Sequence, residues 1–214
     1  PTGGILKKKD LSKLVDIVEK NNLWIISDEV YEELIFSEDF ISPLEIESLA
    51  KRTVVVSSIS KSHAAPGFRS GWVFAQADVI NKMLPLAETM LFGNQPFIAD
   101  MTAYAISNKS KTAIKMKTDY ERRAKLICKK LAKTKNIRPI MPKSGMFILI
   151  KLELKNYSDE KFAWELLRTE GIAVMPGSSF GLNGKDLIRL SLTVPDNKLE
   201  KACERIDEFV RNIV

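Results

Sequence analysis

The segment SSISKSHAAPGFRSGW, residues 57–72, joins two short apolar runs, TVVVSS at 53–58 and GWVFAQ at 71–76. Both runs are rich in β-branched or aromatic residues and are bounded by small or polar ones, a pattern typical of strands. The joining segment places Lys61 directly after the first strand and Arg69 eight residues later. Lysine is rarely found at the end of a buried strand, so Lys61 is a candidate functional residue.

The residues before this segment predict an α/β domain with a largely parallel sheet. Apolar side chains recur at helical spacing near the start of the chain, at Leu11, Leu14, Val15 and Val18. The run LWIIS at 23–27 follows and predicts another buried strand. A helix, a strand, a connection and a second strand favour parallel pairing, in which ligands bind at the carboxyl ends of the strands. Asp28 and Lys61 both fall at such ends.

The rest of the chain predicts helices followed by a smaller α+β domain. Residues 78–133 have a helical pattern that MLFGNQPF, at 90–97, interrupts, and the part after this break forms one long helix or two. We predict strands at MPKSGMFILIKLEL, IAVMPG and LIRLSLTV. We predict one helix between Ser158 as N-cap and Gly171 as its stop, and a last helix from about Asp196.

These patterns divide the chain into three parts. Residues 1–107 are expected to be a partial large domain, 108–132 a long helix between domains, and 133–214 a small C-terminal domain. A length of 214 residues suits one large domain or two small ones.

The composition is that of an ordinary globular protein, with 45% hydrophobic and 28% charged residues. The net charge of +6 is scattered along the chain, so we expect no nucleic-acid-binding surface. No apolar run approaches the roughly 18 residues of a membrane span, and no signal peptide is visible. Cys128 and Cys203 lie far apart, which predicts small apolar side chains in helices rather than a disulfide or a metal site. Two unpaired cysteines fit a reducing compartment, so we expect a cytoplasmic protein.

Taken one at a time, the candidate residues have ordinary explanations. Lys61 can be a surface lysine in a loop, and Asp28 can cap the turn that follows it. Arg69 can be an exposed arginine, although its guanidinium also suits a phosphate, with hydroxyls at Ser58 and Ser60 to share the anion.

Two further residues carry the same ambiguity. Arg189 lies in an alternating strand, and an arginine that faces inward there needs an anion. His63, the only histidine, can line a site, but a lone histidine is more often a hydrogen-bonded wall residue, which is the role that we favour.

Considered together, the motifs resemble the class I and II aminotransferases, pyridoxal-phosphate (PLP) enzymes of fold type I. The motifs are Pro1-Thr2-Gly3, Asp28-Glu29-Val30-Tyr31, Ser58-x-Ser60-Lys61, Gly67-x-Arg69-x-Gly71 and Pro176-Gly177-x-x-Phe180-Gly181, with Arg189 following. Their order and spacing agree with the family over the whole chain. The resemblance therefore implies the C-terminal part of a PLP-binding large domain together with the small domain.

The resemblance also implies a cofactor site. Asp28 would pair with the pyridine nitrogen of PLP, and Tyr31 would hydrogen-bond the ring oxygen. Arg69, with Ser58 and Ser60, would bind the phosphate.

Catalysis and substrate binding are implied for two more residues. Lys61 would form the Schiff base with PLP and then act as the general base. Arg189 would bind the substrate carboxylate through two hydrogen bonds. The family is homodimeric, and MLFGNQPF either faces the partner subunit or packs locally.

The substrate is less narrowly indicated. SKSHAAPGFRSGW followed by MLFGNQPFIAD is similar to the arginine–pyruvate transaminase group, which implies a basic amino acid as donor and pyruvate as the 2-oxo acid acceptor. Alternatives are an aspartate or aromatic aminotransferase, or another PLP reaction such as β-elimination or amino-acid oxidation. A non-catalytic fragment or dimerisation module is the alternative of a different class. We expect residues 1–214 to be the C-terminal half of an enzyme, inactive alone.

Overall fold

The computed structural model describes residues 2–155 and 157–213. The chain forms two compact units. Ile5–Met116 makes up the first unit, and Pro1–Gly4 with Lys117–Val214 makes up the second. The boundary falls inside a long helix, at residues 116 and 117.

The first unit alternates helices and short strands, which confirms the predicted α/β class. Its elements are α1 (Lys8–Lys20), β1 (Ile25–Asp28), α2 (Glu47–Ala50), β2 (Thr53–Ser58), α3 (Ile59–Ser62), β3 (Gly71–Phe74), α4 (Ala77–Leu91), α5 (Pro96–Ile106) and the start of α6 (Lys111–Leu131). Three 3₁₀ turns join them, at Glu32–Leu34, Pro43–Glu45 and Pro66–Phe68.

The sheet of the first unit has the order β1-β2-β3 and mixed directions. The predicted parallel pair is present, because β1 and β2 run parallel with Asp28 opposite Val56. The third strand, β3, returns antiparallel to β2 with Gly71 opposite Ser58.

One expectation about burial in the first unit is wrong. The second half of the run LWIIS, residues 25–27, does belong to β1, but it is not a buried strand, since the Ile26 side chain is 76% exposed. The sheet is covered unevenly by the described part of this unit, since Val55 of β2 is 4% exposed while Ile26 of β1 is exposed. Neighbouring side chains of a strand point to opposite faces, so Ile26 lies on the face opposite to Val55.

The helical region after β3 contains three helices, so the stretch after MLFGNQPF forms two helices rather than one. Asn108 ends α5 by donating from Nδ2 to the Tyr104 carbonyl at 2.7 Å. Ser110 then caps α6, since its Oγ accepts from the Ala113 amide at 3.0 Å. No described helix is both long enough and apolar enough to span a bilayer.

The elements of the second unit are the remainder of α6, β4 (Ile137–Ile140), β5 (Phe147–Leu152), α7 (Asp159–Glu170), β6 (Met175–Pro176), β7 (Leu187–Ser191) and α8 (Asp196–Asn212). The four strands form an antiparallel sheet in the order β4-β5-β7-β6, with helices packed against it. The predicted ends of α7 are confirmed, with Ser158 Oγ accepting from the Lys161 amide at 3.1 Å and Gly171 at φ +61°. Strand β4 was not predicted, because Pro139 interrupts its short apolar pattern.

The core of the second unit lies between this sheet and its helices. The rings of Phe162 in α7 and Phe209 in α8 meet edge to face, with centroids 5.2 Å apart. Cys203 of α8 is 1% exposed, and burial raises the pKa of its thiol to about 11. Burial also raises the pKa of the half-buried Cys128 thiol. Both cysteines are free, and Cys203 packs as the small apolar side chain predicted.

Candidate active site

The candidate site of the first unit lies where β1 and β2 end and β3 begins. Register places Asp28 opposite Val56, two residues before Ser58, and places Ser58 opposite Gly71. The predicted residues Asp28, Ser58, Ser60, Lys61 and Arg69 therefore follow or precede strand ends at one edge of the sheet. This edge contains the carboxyl ends of the parallel pair, where ligands of α/β sheets bind.

Lys61 lies in the single helical turn α3, directly after β2. Ser58 caps this turn, because its Oγ accepts from the Ser60 amide at 3.3 Å. Ile59 is 1% exposed and fixes the turn to the core, whereas Lys61 is half-buried. Within residues 2–155 and 157–213, the Lys61 ammonium makes no ion pair and no hydrogen bond, so its amine remains available to a ligand.

Arg69 ends the turn Pro66–Phe68 in the left-handed conformation, at φ +53°. Non-glycine residues adopt this conformation uncommonly, and it is often associated with functional sites. Arg69 Nη1 donates to the Pro66 carbonyl at 2.8 Å, and the side chain is otherwise exposed. The guanidinium is thus held at one nitrogen and keeps its other donors for an anion.

Gly71 allows β3 to begin very close to the end of β2. A Cβ at this position would lie 2.8 Å from the Ser57 carbonyl oxygen and 3.2 Å from Ser58 Cβ. Any larger residue would push the strand away and move Arg69, two residues earlier, relative to Ser58. The lack of space for a Cβ therefore explains why the last position of the Gly67-x-Arg69-x-Gly71 motif is glycine.

Asp28 and Tyr31 occupy the loop that follows β1. Asp28 Oδ1 accepts from the Val30 amide at 3.2 Å, the turn-capping role that the ordinary explanation expected. In the described part of the chain its Oδ2 makes no hydrogen bond and can serve a ligand. Tyr31 begins the turn Glu32–Leu34, which packs against α3. Burial, followed by the charges of Glu29 and Glu33, raises the pKa of Glu32 in this turn.

His63 has the hydrogen-bonded role that we favoured. Its Nε2 lies 3.2 Å from the Ala105 carbonyl oxygen, and its Nδ1 lies 2.9 Å from Ser62 Oγ. Because a carbonyl only accepts, Nε2 carries a proton. Ser110 Oγ also donates to the Ser62 carbonyl at 2.8 Å, so two contacts tie the end of the Lys61 turn to the helical region.

Arg189 belongs to the second unit, where it lies on β7. Its neighbours Ile188 and Leu190 point into the core, so Arg189 is on the other face of the sheet and half-buried. Among the described residues no carboxylate pairs with it. Its Cζ lies 4.0 Å from the ring centroid of Phe147 and 4.2 Å from that of Phe180.

The sequence did not single out these two phenylalanines as functional residues. In the sequence, Phe180 is one position of the Pro176–Gly181 motif, and Phe147 is one apolar residue of a predicted strand. The signal that identifies Phe147 is the register of β5 and β7, which pairs Leu149 with Arg189 and so places Phe147 diagonally across from it on the same face.

Comparison with known proteins decides the family. The sequence profile described as aminotransferase class I and II matches residues 1–206. The chain belongs to the class I and II aminotransferases.

Members of this family with different names resemble the chain to a similar degree. The arginine–pyruvate transaminase AruH of Pseudomonas aeruginosa is 35% identical over 206 residues, which are 96% of this chain and 52% of that protein. An aromatic aminotransferase from Pyrococcus horikoshii OT3 is 31% identical with a TM-score of 0.94, covering 100% of this chain and 58% of that one. A PLP-bound protein of Clostridium difficile 630, assigned to the aminotransferases, is 25% identical with a TM-score of 0.89, covering 98% and 56%.

The chain thus spans about half the length of the curated relatives that it matches. The structural agreement confirms fold type I for the described units. AruH is named for arginine and pyruvate, whereas the Pyrococcus horikoshii protein is named for aromatic substrates. Family membership alone therefore does not identify the amino donor.

Proposed function

We propose that this chain is the C-terminal part of a PLP-dependent aminotransferase, which transfers an amino group from an amino acid to a 2-oxo acid. The observation that carries the proposal is Lys61, whose amine has no partner among the described residues and which lies at the strand-end edge with Asp28 and Arg69. A half-buried lysine in an anchored turn is suited to a carbonyl ligand, because a neutral amine attacks carbonyl carbon.

The residues at this edge fit PLP chemically. Arg69 and the hydroxyls of Ser58 and Ser60 would hold its phosphate, since they supply a charged fork and neutral donors. Asp28, with Oδ2 open, would hold the pyridine nitrogen in its protonated form, and Tyr31 would donate to the ring oxygen. When bound, the cofactor supplies an electron sink for the bonding pair released at the substrate Cα.

Two side chains of this chain would then act on the substrate. The Lys61 amine, when neutral, would take the proton from the substrate Cα as general base. Arg189 would bind the substrate carboxylate through two parallel N–H···O hydrogen bonds, an arrangement for which the guanidinium fork is suited. Because amino acids and 2-oxo acids share that carboxylate, one arginine would serve both substrates.

For the substrates we propose a basic amino acid such as arginine as donor, with pyruvate as acceptor. The support is the 35% identity with AruH and the similarity around Lys61 and Met90–Phe97. The alternatives remain an aspartate or aromatic amino donor, or another PLP reaction such as β-elimination or amino-acid oxidation. We include in the proposal a homodimer in the cytoplasm, where both cysteines would stay reduced.

The test uses the full-length protein that carries this chain, incubated with PLP. We expect a visible absorption band from the cofactor held at Lys61, and turnover with one member of a panel of donors that includes arginine, aspartate and phenylalanine. Lys61→Ala should abolish the band and lower kcat at least ~100-fold, the scale of general-base catalysis. Lys51→Ala, at an exposed lysine of the same unit, is the matched control and should change neither.

The same experiment separates the alternative of a non-catalytic module. A wild-type protein that gains no absorption band and shows no turnover with any donor would overturn the enzymatic proposal. A band without transamination would retain the PLP site and favour one of the other PLP reactions.

A further inference from the structure

The Arg189 guanidinium is contacted by aromatic rings from both sides of its strand. Phe147 is on β5 and Phe180 follows β6, and these two strands flank β7 in the sheet. The ring centroids lie 4.0 Å and 4.2 Å from Cζ, well inside the roughly 6 Å range of cation–π attraction. The two rings therefore come from segments on the two sides of β7, and both contact the guanidinium.

The position of Phe180 is set by a tightly built turn. The Ser178 amide donates to Oδ2 of the buried Asp159 at 2.7 Å, which ties the turn to the start of α7. The turn closes where Gly177 and Gly184 meet, since a Cβ on Gly184 would lie 2.0 Å from the Gly177 carbonyl oxygen. Phe180 itself is 43% exposed, so its ring covers Arg189 without being part of the core.

This arrangement restricts how an anion can reach Arg189. Ring faces attract the cation without neutralising its charge, and no carboxylate of the described residues pairs with it. With two rings this close to Cζ, the N–H groups that point away from the rings remain for hydrogen bonding. A carboxylate with its attached carbon is planar and fits an edge-on approach, whereas a sulfonate projects a third oxygen out of that plane and towards the rings.

We propose that Phe147 and Phe180 are positioning residues that fix the plane of the Arg189 guanidinium and make it selective for planar carboxylates over tetrahedral anions. The proposal rests on the proposed function only in that Arg189 binds the substrate carboxylate. Fixing the side chain before binding lowers the ordering cost that binding would otherwise incur.

The test measures direct binding to the full-length protein by isothermal titration calorimetry, with butanoate and propane-1-sulfonate as the probes. Phe180→Leu keeps an apolar side chain but removes the ring face, and it should raise the Kd of butanoate about 3- to 10-fold, the scale of immobilising one flexible side chain. The Kd of the sulfonate should rise less, so the preference for the carboxylate shrinks. Phe180→Tyr restores the ring and should restore both values.

Trp164→Leu is the matched control, because it removes another exposed aromatic ring that lies near an arginine, 5.7 Å from Arg168 Cζ, in the same unit. It should leave both dissociation constants unchanged. Equal affinities in wild type and Phe180→Leu, or an equal loss for both probes, would overturn the positioning role while the proposed function stands. Unchanged butanoate binding in Arg189→Ala would instead refute the carboxylate-binding role of Arg189, and the inference with it.

Discussion

At the scale of single residues, the candidate site depends on how closely two backbone segments approach. Ser57 and Ser58 end β2 while Gly71 begins β3 beside them, with no space for a side chain between the strands. Arg69 reaches this position through a left-handed backbone. The phosphate-binding role proposed for Arg69 and Ser58 therefore depends on the absence of a side chain at Gly71.

We expect Gly71→Ala to weaken PLP binding by the full-length protein and to lower its stability by roughly 1–3 kcal/mol, the usual cost of overpacking. The physical reason is the 2.8 Å contact that the new Cβ would make with the Ser57 carbonyl oxygen. Fluorescence titration with PLP and urea unfolding measure the two effects.

Gly67→Ala supplies the matched control four residues earlier. No atom lies within 4 Å of a Cβ at Gly67 and its φ is not positive, so we expect unchanged PLP affinity and unchanged or slightly higher stability. Equal PLP affinity in Gly71→Ala and wild type would show that the close approach is not needed for the site.

At the scale of elements, the start of α8 is fastened to α6 by one carboxylate. Asp196 accepts from Arg123 Nε at 2.8 Å and pairs with Arg122 as well. Arg123 Nη1 also donates to the Leu192 carbonyl at 2.8 Å, just before the helix. Asp196 is in the first turn of α8, where the helix dipole favours negative charge.

Asp196→Ala should therefore cost about 1–2 kcal/mol in the free energy of unfolding, because it leaves the nearly buried Arg123 guanidinium without its anion. Glu204 forms a single surface ion pair with Lys130. Glu204→Ala should therefore lower the free energy of unfolding by no more than about 0.5 kcal/mol. Urea denaturation of both variants measures the difference. Equal losses would mean that the Asp196 cluster contributes no more than a surface ion pair.

The buried thiol on α8 makes stability depend on alkaline pH. Burial raises the pKa of Cys203 from its ordinary value of 9.0 to about 11, so the native state retains the proton when the unfolded state loses it. The stabilisation is present below pH 9 and is lost as pH rises towards 11. Cys203→Ala should flatten the decline in unfolding free energy across this interval, measured by urea denaturation at several pH values; an unchanged slope would contradict the assignment.

The sequence predicted most elements and the order of the motifs, but not every contact. Lys61 and Arg69 could be placed at strand ends because apolar runs on both sides define those ends. Phe147 and Phe180 could not be assigned to Arg189, since their contacts depend on sheet register and on a turn closed by two glycines. The exposure of Ile26 could not be predicted from the sequence pattern either. Periodicity shows which residues share a face of a strand, but it does not show whether other elements cover that face.

At the scale of the whole molecule, the first unit exposes several large apolar side chains of α4 and α5, a feature typical of interaction surfaces when such side chains are contiguous. Helix α4 has no buried residue, and the Phe92 side chain at its end is 92% exposed. Met90, Leu91 and Tyr104 are also exposed. The described residues supply no cover for this surface, and the chain spans about half the length of the relatives it matches.

We therefore expect residues 1–214, expressed alone, to self-associate and to show no transamination. Light scattering after gel filtration should give a mass that increases with protein concentration, because exposed apolar side chains associate. Phe92→Glu should reduce this association, whereas Trp164→Glu, at an isolated 60%-exposed ring of the second unit, should not. A 24.1 kDa monomer with measurable turnover would show that the first unit needs no further cover and that this half of the family's length is sufficient for catalysis.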